Sequence, residues 1–232
     1  LGYISWRDDR HGVPVAVRIC IQTLVAVGVV LAITGRAAPV GLILFSVFAL
    51  IAFMNFVNFM DGINGLVSGQ LILLSLGAAL LFGVAGDVTP LLIALVMAGA
   101  LAGFLPFNFP RARMFLGDVG SVPLGFSFGV LLLWMAVTAT DPALYKTLAV
   151  LPFYFLLEGS LTVSRSIEDG EKVAKEDREH FYQRRVRAGG GHGRSSGWVW
   201  ALQLLVIALA CWQWRAGGRV EFLWLAAGLV WG

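Results

Sequence analysis

The chain has 232 residues, of which 58% are hydrophobic and 13% are charged, and its mean hydropathy is +0.81. A soluble domain carries about 25% charged residues, so this composition excludes a soluble globular protein, a disordered chain and a disulfide-stapled scaffold. The net charge of +3 is too small to indicate a nucleic-acid partner, and Cys20 and Cys211 lie in apolar runs without metal or redox spacing.

Apolar stretches of membrane-spanning length, about 20 residues, recur along the whole chain. In chain order they are Val15–Thr34, Val40–Phe59, Leu66–Val84, Leu91–Phe109, Val122–Ala139, Leu144–Val163 and Trp198–Trp214, with a shorter one at Val220–Gly232. We therefore predict an all-α fold, a polytopic membrane bundle with about eight transmembrane helices. The pattern indicates a single membrane-embedded domain over residues 1–232.

The first residues resemble the end of a helix more than the start of a protein. The chain opens at Leu1 instead of Met, and no signal peptide with a charged start and a small-residue cleavage site is present. We expect that the domain lacks its first helices. The apolar stretch at the other end is short for a span and is open to the same interpretation.

Basic residues are unequally distributed between the two sides of the predicted bundle. Of 17 lysines and arginines, 13 fall on the side that includes the long polar loop 164–197, and the other four are Arg36, Lys146, Arg215 and Arg219. Loops rich in Lys and Arg stay in the cytoplasm, so we predict that this side is cytoplasmic. The number of crossings between them brings five polar side chains to that same face: Asp8, Asp9, Asp61, Asp118 and His180.

The first polar motif is Arg7-Asp8-Asp9-Arg10. Adjacent carboxylates repel each other unless a cation lies between them, so the pair suits Mg²⁺ binding or proton transfer. Arg18 and Gln22 are four residues apart and share a helix face pointing back toward the pair. The alternative is an ordinary charged loop, neutralised by its own arginines.

The second motif, Asn55 to Leu66, places several polar side chains at the end of a span. Asn58, Asp61 and Asn64 cover roughly one third of a helix circumference. Such side chains are costly in hydrocarbon and are usually functional. A capped helix end would explain Asn64 and Gly65 but not the polar positions before them, so we favour a functional site.

The third motif runs from Phe107 to Ser121 and combines a proline, two arginines and a Gly-Asp-x-Gly-Ser segment. Arg113 can contact an anion, and Asp118 can either cap the following helix or hold a metal. Both interpretations of Asp118 stay open. In the fourth segment, the polar loop, Glu179–Arg185 suits a membrane-surface segment or a substrate-contacting arm, and a lone histidine such as His180 is usually structural.

Taken together, Asp8-Asp9, Asn58-x-x-Asp61-Gly-x-Asn64-Gly-Leu66 and Asn108-x-Pro…Phe115-Leu-Gly-Asp118-x-Gly-Ser121 resemble the polyprenyl-phosphate N-acetylhexosamine-1-phosphate transferases, glycosyltransferase family 4. The late loop with His180-Phe-Tyr-Gln-Arg is similar to the branch that makes O-antigen lipid intermediates. Asn64 stands where many relatives carry a second Asp. The resemblance covers Asp8 to about Arg194 and also implies that the family's first spans are absent from this chain.

The resemblance implies a Mg²⁺-dependent enzyme, with Mn²⁺ as an alternative ion, in the bacterial inner membrane. It would transfer N-acetylhexosamine-1-phosphate from a UDP-N-acetylhexosamine to undecaprenyl phosphate on the cytoplasmic side, release UMP and so initiate a cell-envelope glycan. The implied catalytic residues are Asp8, Asp9, Asp118 and His180, of which Asp118 and Asp9 would be metal ligands. The implied substrate-binding residues are Asn58, Asp61, Asn64, Asn108, Arg113 and Phe115, and a homodimer is left open.

Two other classes compete with this interpretation. A secondary transporter also carries carboxylates among apolar helices, but its site lies near the middle of the membrane, whereas the polar residues here are predicted at one interface. A scaffold with a decayed site is disfavoured by the intact acidic motif positions.

Overall fold

The computed structural model describes residues 1–35, 37–138, 147, 150–168 and 191–215. Every regular element among them is an α-helix, so the predicted all-α fold is confirmed. The helices are α1 (Gly2–His11), α2 (Val15–Thr34), α3 (Val40–Phe59), α4 (Leu66–Ala85), α5 (Val88–Asn108), α6 (Gly117–Thr138), α7 (Phe153–Glu168) and α8 (His192–Arg215).

Six of the described helices are long and apolar enough to cross a membrane, namely α2 to α6 and the Gly193–Trp212 part of α8. The predicted limits of α2 and α3 match the observed ones, since each helix begins directly after a proline, Pro14 or Pro39. Proline suits the start of a helix because the first N–H groups have no partner inside it. The predicted span Leu144–Val163 lies partly, and Val220–Gly232 wholly, outside the described residues.

Four boundaries differ from the sequence-based prediction. The helix predicted from Leu91 starts at Val88. The helix predicted from Val122 starts at Gly117, so the Gly-Asp-x-Gly-Ser segment is helical. Toward the other end, α7 continues to Glu168 and α8 begins at His192, so both ends of the predicted loop 164–197 are helical. Hydropathy misses such polar helix ends because it reports only on apolar length.

The chain divides into two compact units. The first comprises Leu1–Asp61 and Leu116–Thr140, and in it α6 packs against α1, α2 and α3. A Cβ atom on Gly125 would lie 3.0 Å from the Cα of Met54, and one on Gly129 would lie 2.8 Å from Leu50. Small residues four apart therefore let α6 approach α3 closely, as is common between membrane helices.

An apolar core closes the first unit below its polar end. Ala26, Val30, Val47 and Leu50 are buried there, and Phe126 packs on them from α6. These residues pack α2, α3 and α6 against one another away from the polar side chains.

The second unit comprises Gly62–Phe115 and Asp141–Gly232. Its α4 packs against α5 and α8. A Cβ atom on Gly69 would lie 2.1 Å from the indole of Trp200, so the crossing of α4 and α8 requires a glycine at this position. Trp200 in turn contacts the ring of Phe109, with the two ring centroids 4.8 Å apart.

Candidate active site

Asp9 binds the amino end of α6. Its carboxylate accepts hydrogen bonds from the backbone N–H groups of Asp118 and Val119, each at 3.2 Å. The first N–H groups of a helix lack partners within the helix, and a negative charge there is favourable. Gly117 permits the contact, because its φ is +57° and a Cβ would lie 3.0 Å from the Asp9 carboxylate. Asp9 thus caps a helix that is remote in sequence.

Arg18 joins the first and third motifs. Its guanidinium donates to the carboxylate of Asp8 and lies 3.3 Å from a carboxylate oxygen of Asp118. Asp8 also accepts from the backbone N–H of Val13 at 2.6 Å. The side chain of Asp8 is 11% exposed, whereas that of Arg18 is 34% exposed. The Asp8 carboxylate is therefore bonded within the connection between α1 and α2, whereas the Arg18 side chain is partly exposed.

Asn58 connects the second motif to the third. Its amide donates to Asp118 Oδ1 at 2.6 Å and to the hydroxyl of Ser121 at 2.9 Å, which uses both of its N–H hydrogens. Ser121 in turn donates to the carbonyl of Gly117 at 2.8 Å. Asp118 is consequently held between Arg18 and Asn58, and hydrogen bonds to charged groups are stronger than neutral ones.

Asp61 lies just beyond α3 and is half-buried. Its pKa is raised from 3.8 to about 7. Burial is the largest cause, the negative charges of Asp118 and Asp9 add to it, and a hydrogen bond from the backbone of Gly117 opposes it. The first unit therefore brings Asp8, Asp9, Asn58, Asp61 and Asp118 together. The negative charge of the four carboxylates favours the binding of a cation or a proton among them.

Asn108 organises the loops of the second unit. It is 2% exposed, and its side-chain oxygen accepts from the backbone N–H of Gly65 and the hydroxyl of Ser68, both at 2.9 Å. Its amide donates to the carbonyl of Met114 at 2.9 Å. A side chain buried and bonded in this way holds the backbone around it.

The remaining predicted residues of the second unit lie nearer the surface. Asn64 donates to the carbonyl of Pro110 at 3.1 Å. Arg113 is exposed, and Phe115 is 69% exposed, so its ring is accessible to a ligand. His180 lies outside the described residues.

Two supporting residues were missed by the sequence analysis. Ser196 donates from α8 to the carbonyl of Asn64 at 2.7 Å, and Trp200 packs on Gly69 and Phe109. Their distance along the chain from Asn64 and Phe109 leaves no local signal. Ser121, by contrast, lies one turn after Asp118 in the motif, so the sequence spacing was sufficient to predict that the two residues share a helix face.

The donor set is chemically suited to a hard cation. No group of three or more His, Cys, Asp or Glu side chains close enough to hold a metal occurs among the described residues. Mg²⁺, however, is usually held by one or two carboxylates, with water and substrate phosphates completing its shell. The carboxylates of Asp9 and Asp61 near that of Asp118 fit that requirement.

Comparison with known proteins places the chain in a family. Residues 1–136 match the family Glycosyl transferase family 4. Over 202 residues the chain is 29% identical to a phospho-N-acetylmuramoyl-pentapeptide-transferase of Streptococcus thermophilus (strain CNRZ 1066), covering 79% of this chain and 56% of the relative. Over 157 residues it is 29% identical to a decaprenyl-phosphate N-acetylglucosaminephosphotransferase of Mycolicibacterium smegmatis, covering 58% and 38%.

A third relative is a probable undecaprenyl-phosphate N-acetylglucosaminyl 1-phosphate transferase of Bacillus subtilis (strain 168), 26% identical over 163 residues, with coverage of 64% and 43%. The chain thus spans about half the length, or less, of these curated relatives. It is a multi-pass membrane protein of helical fold. It belongs to Glycosyl transferase family 4, which confirms the family resemblance of its motifs. These relatives are transferases, and they lend no support to the transporter alternative.

Proposed function

We propose that the protein transfers N-acetylhexosamine-1-phosphate from a UDP-sugar to undecaprenyl phosphate and releases UMP. The observation that carries this proposal is the meeting of three separate motifs at Asp118, through Asp9, Arg18 and Asn58. The names of the relatives support the same reaction class. The reaction starts an O-antigen or another cell-envelope glycan at the cytoplasmic face of the bacterial inner membrane.

In this reaction an oxygen of the lipid phosphate attacks the β-phosphorus of the UDP-sugar. The bond between that phosphorus and the oxygen bridging to the α-phosphorus breaks, and UMP leaves with the bridging oxygen. Asp9 is the better placed of the two adjacent aspartates to accept a proton from the lipid phosphate or to orient it, since it is exposed while Asp8 is mostly covered. Arg18 offsets the charge of the approaching phosphates.

Asp118 would hold Mg²⁺, with the carboxylate of Asp9 or Asp61 beside it. When bound, the ion supplies positive charge that reduces the repulsion between the anionic substrates. Asn58 keeps the Asp118 carboxylate in one orientation through its 2.6 Å hydrogen bond, as partners of ligand carboxylates commonly do.

On the nucleotide side, the exposed ring of Phe115 would stack on uracil, and Arg113 would contact the diphosphate. The resemblance of the motifs also assigns substrate binding to Asp61 and Asn64. Asn108 acts on these residues through the backbone that it holds, as a positioning residue. His180 is proposed to contact the sugar-phosphate end of the donor.

Two donors compete, one favoured by a sequence segment and the other by a relative. The His180-Phe-Tyr-Gln-Arg segment favours a UDP-N-acetylhexosamine, whereas the Streptococcus relative, which aligns with 79% of the chain, favours a donor bearing N-acetylmuramoyl-pentapeptide. We propose the first and keep the second as the competing outcome. A homodimer is part of the proposal as the candidate assembly.

A donor panel tests the proposal. The protein, expressed from its complete gene, is purified in detergent and incubated with undecaprenyl phosphate, Mg²⁺ and one UDP-sugar at a time, with UMP and the lipid product measured together. We expect both products with UDP-N-acetylglucosamine or a related amino-sugar donor. Turnover of the peptide-bearing donor alone would favour the second candidate. UMP without a lipid product would overturn the proposed transfer.

A further inference from the structure

A hydrogen bond between the side chains of Gln22 and Asn55 joins α2 and α3 within their apolar segments. The side-chain oxygen of Gln22 accepts from the amide of Asn55 at 2.9 Å, and the same amide donates to the carbonyl of Ile51 at 2.7 Å. Gln22 is 5% exposed. Both N–H hydrogens of Asn55 are therefore used, and Gln22 has its oxygen bonded within the protein.

The position of this pair relates it to the acidic site. On α2, Gln22 follows Arg18 by one helical turn, and on α3, Asn55 precedes Asn58 by nearly one turn, so each pair of residues shares a helix face. Arg18 and Asn58 are the two side chains that hold the Asp118 carboxylate. The pair thus lies directly beneath the residues that orient Asp118.

A small cavity connects the two polar layers. Its volume is about 10 Å³, and its polar lining consists of Ser5, Arg18, Gln22, Asn55, Asn58 and Asp118. A polar cavity of this size has room for about one water molecule. Further from the site, Ala26, Val30 and Leu50 form an apolar contact, which does not fix the rotation of one helix relative to the other through directional bonds.

The contribution of this amide pair to the free energy of unfolding does not explain why it lies within two apolar helices. Hydrogen bonds between membrane helices contribute little to the free energy of unfolding on average, because the separated helices find other partners. Directional bonds do, however, restrict how two helices rotate and slide. We propose that Gln22 and Asn55 are positioning residues, which set the rotation of α2 and α3 so that Arg18 and Asn58 meet Asp118. This inference rests on the proposed function, which it deepens.

The test compares the single variants Gln22→Met and Asn55→Leu with the double variant. Each substitution keeps the side-chain volume and removes the interhelical bond. We expect each single variant to lower kcat about tenfold, the lower end of the range for residues that support ligand carboxylates, with KM for the UDP-sugar within about twofold of the wild type because no substrate contact is removed. The double variant should lose no more than the worse single variant, since both act through one bond.

Two further variants sharpen the comparison. Thr23→Val is the matched control, because Thr23 neighbours Gln22 but donates only to the carbonyl of Ile19 in its own helix, and its kcat should not change. The exchange Gln22→Asn with Asn55→Gln restores an amide pair and should recover most of the lost kcat. Lower thermal stability with unchanged kcat in the single variants, or equal losses in the control, would overturn the positioning role.

A binding measurement separates this inference from the proposed function. Mn²⁺ binding to the purified protein, followed by electron paramagnetic resonance, requires no turnover, and we expect about tenfold weaker binding in the two single variants. If the wild type transfers no sugar phosphate from any donor, the proposed function fails, and the Mn²⁺ affinities then decide the positioning role. Unchanged affinity in the variants, or no Mn²⁺ binding by the wild type, would overturn it.

Discussion

Replacing Asp61 by asparagine should change how the stability of the protein depends on pH. The pKa of Asp61 is raised from 3.8 to about 7, chiefly by burial and then by the charges of Asp118 and Asp9. A folded-state pKa above the unfolded value means that the unfolded state releases this proton more readily. The stability that Asp61 contributes to the free energy of unfolding is therefore fully present below pH 3.8, and it is lost as the pH rises through about 7.

The size of the effect follows from the shift. A shift of one pKa unit corresponds to about 1.4 kcal/mol, so this shift sets an upper bound of about 4 kcal/mol, which partial exposure to solvent reduces. Asparagine has a similar volume and does not ionise. In metal-free buffer, the Asp61→Asn variant should match the wild type at about pH 4 and exceed its stability at about pH 8.

The assay is thermal unfolding in detergent with a chelator across this pH range. Asp87→Asn serves as the control, because Asp87 lies at the start of α5 and is not among the carboxylates that raise the pKa of Asp61. Adding Mg²⁺ should recover part of the wild-type stability at high pH, since a cation offsets the same charge. Equal pH profiles for the wild type and Asp61→Asn would refute the reasoning.

Three further predictions concern packing and topology. Asn108→Leu should lower the free energy of unfolding by about 2–3 kcal/mol, because it leaves several buried backbone and hydroxyl groups unpaired, and chemical denaturation in detergent measures this. Gly125→Val should destabilise by about 1–3 kcal/mol through collision with α3, and Gly125→Ala by less; an unchanged melting temperature for both would contradict the close contact. In a cysteine-free background, a cysteine at Gly86 should react with an impermeant reagent from the periplasm and one at Met114 should not, and labelling of both from the same side would contradict the topology.

Parts of the fold were predictable because apolar length is a local property. The α2 and α3 segments match their predicted limits, since each is an uninterrupted apolar run directly after a proline. The start of α6 was not predictable in this way. It is set at Gly117 by polar residues, and its first N–H groups are satisfied by Asp9, which lies 109 residues earlier in the chain.

The residues that form the site were also easier to predict from the sequence than the hydrogen bonds that join them. Motif order and the parity of crossings brought Asp8, Asp9, Asp61 and Asp118 to one face, and the structure brings these four together in one unit. Sequence could not tell which carboxylate pairs with which partner. The bond between Arg18 and Asp118 spans 100 residues, so it depends on how α2 and α6 pack and leaves no local pattern.

The central claim is that Asp118 serves a sugar-phosphate transfer reaction and does more than stabilise the start of α6. The most direct test measures UMP release from a UDP-N-acetylhexosamine, with undecaprenyl phosphate, over a Mg²⁺ titration for the wild type and Asp118→Asn. Asparagine has nearly the same volume as aspartate, and the first N–H groups of α6 are bonded by Asp9, so the variant should fold. It should nevertheless lose at least about 100-fold in rate, because it lacks the negative charge that would hold the ion. A variant with a near-normal rate and an unchanged Mg²⁺ requirement would contradict the account and leave Asp118 as a structural residue.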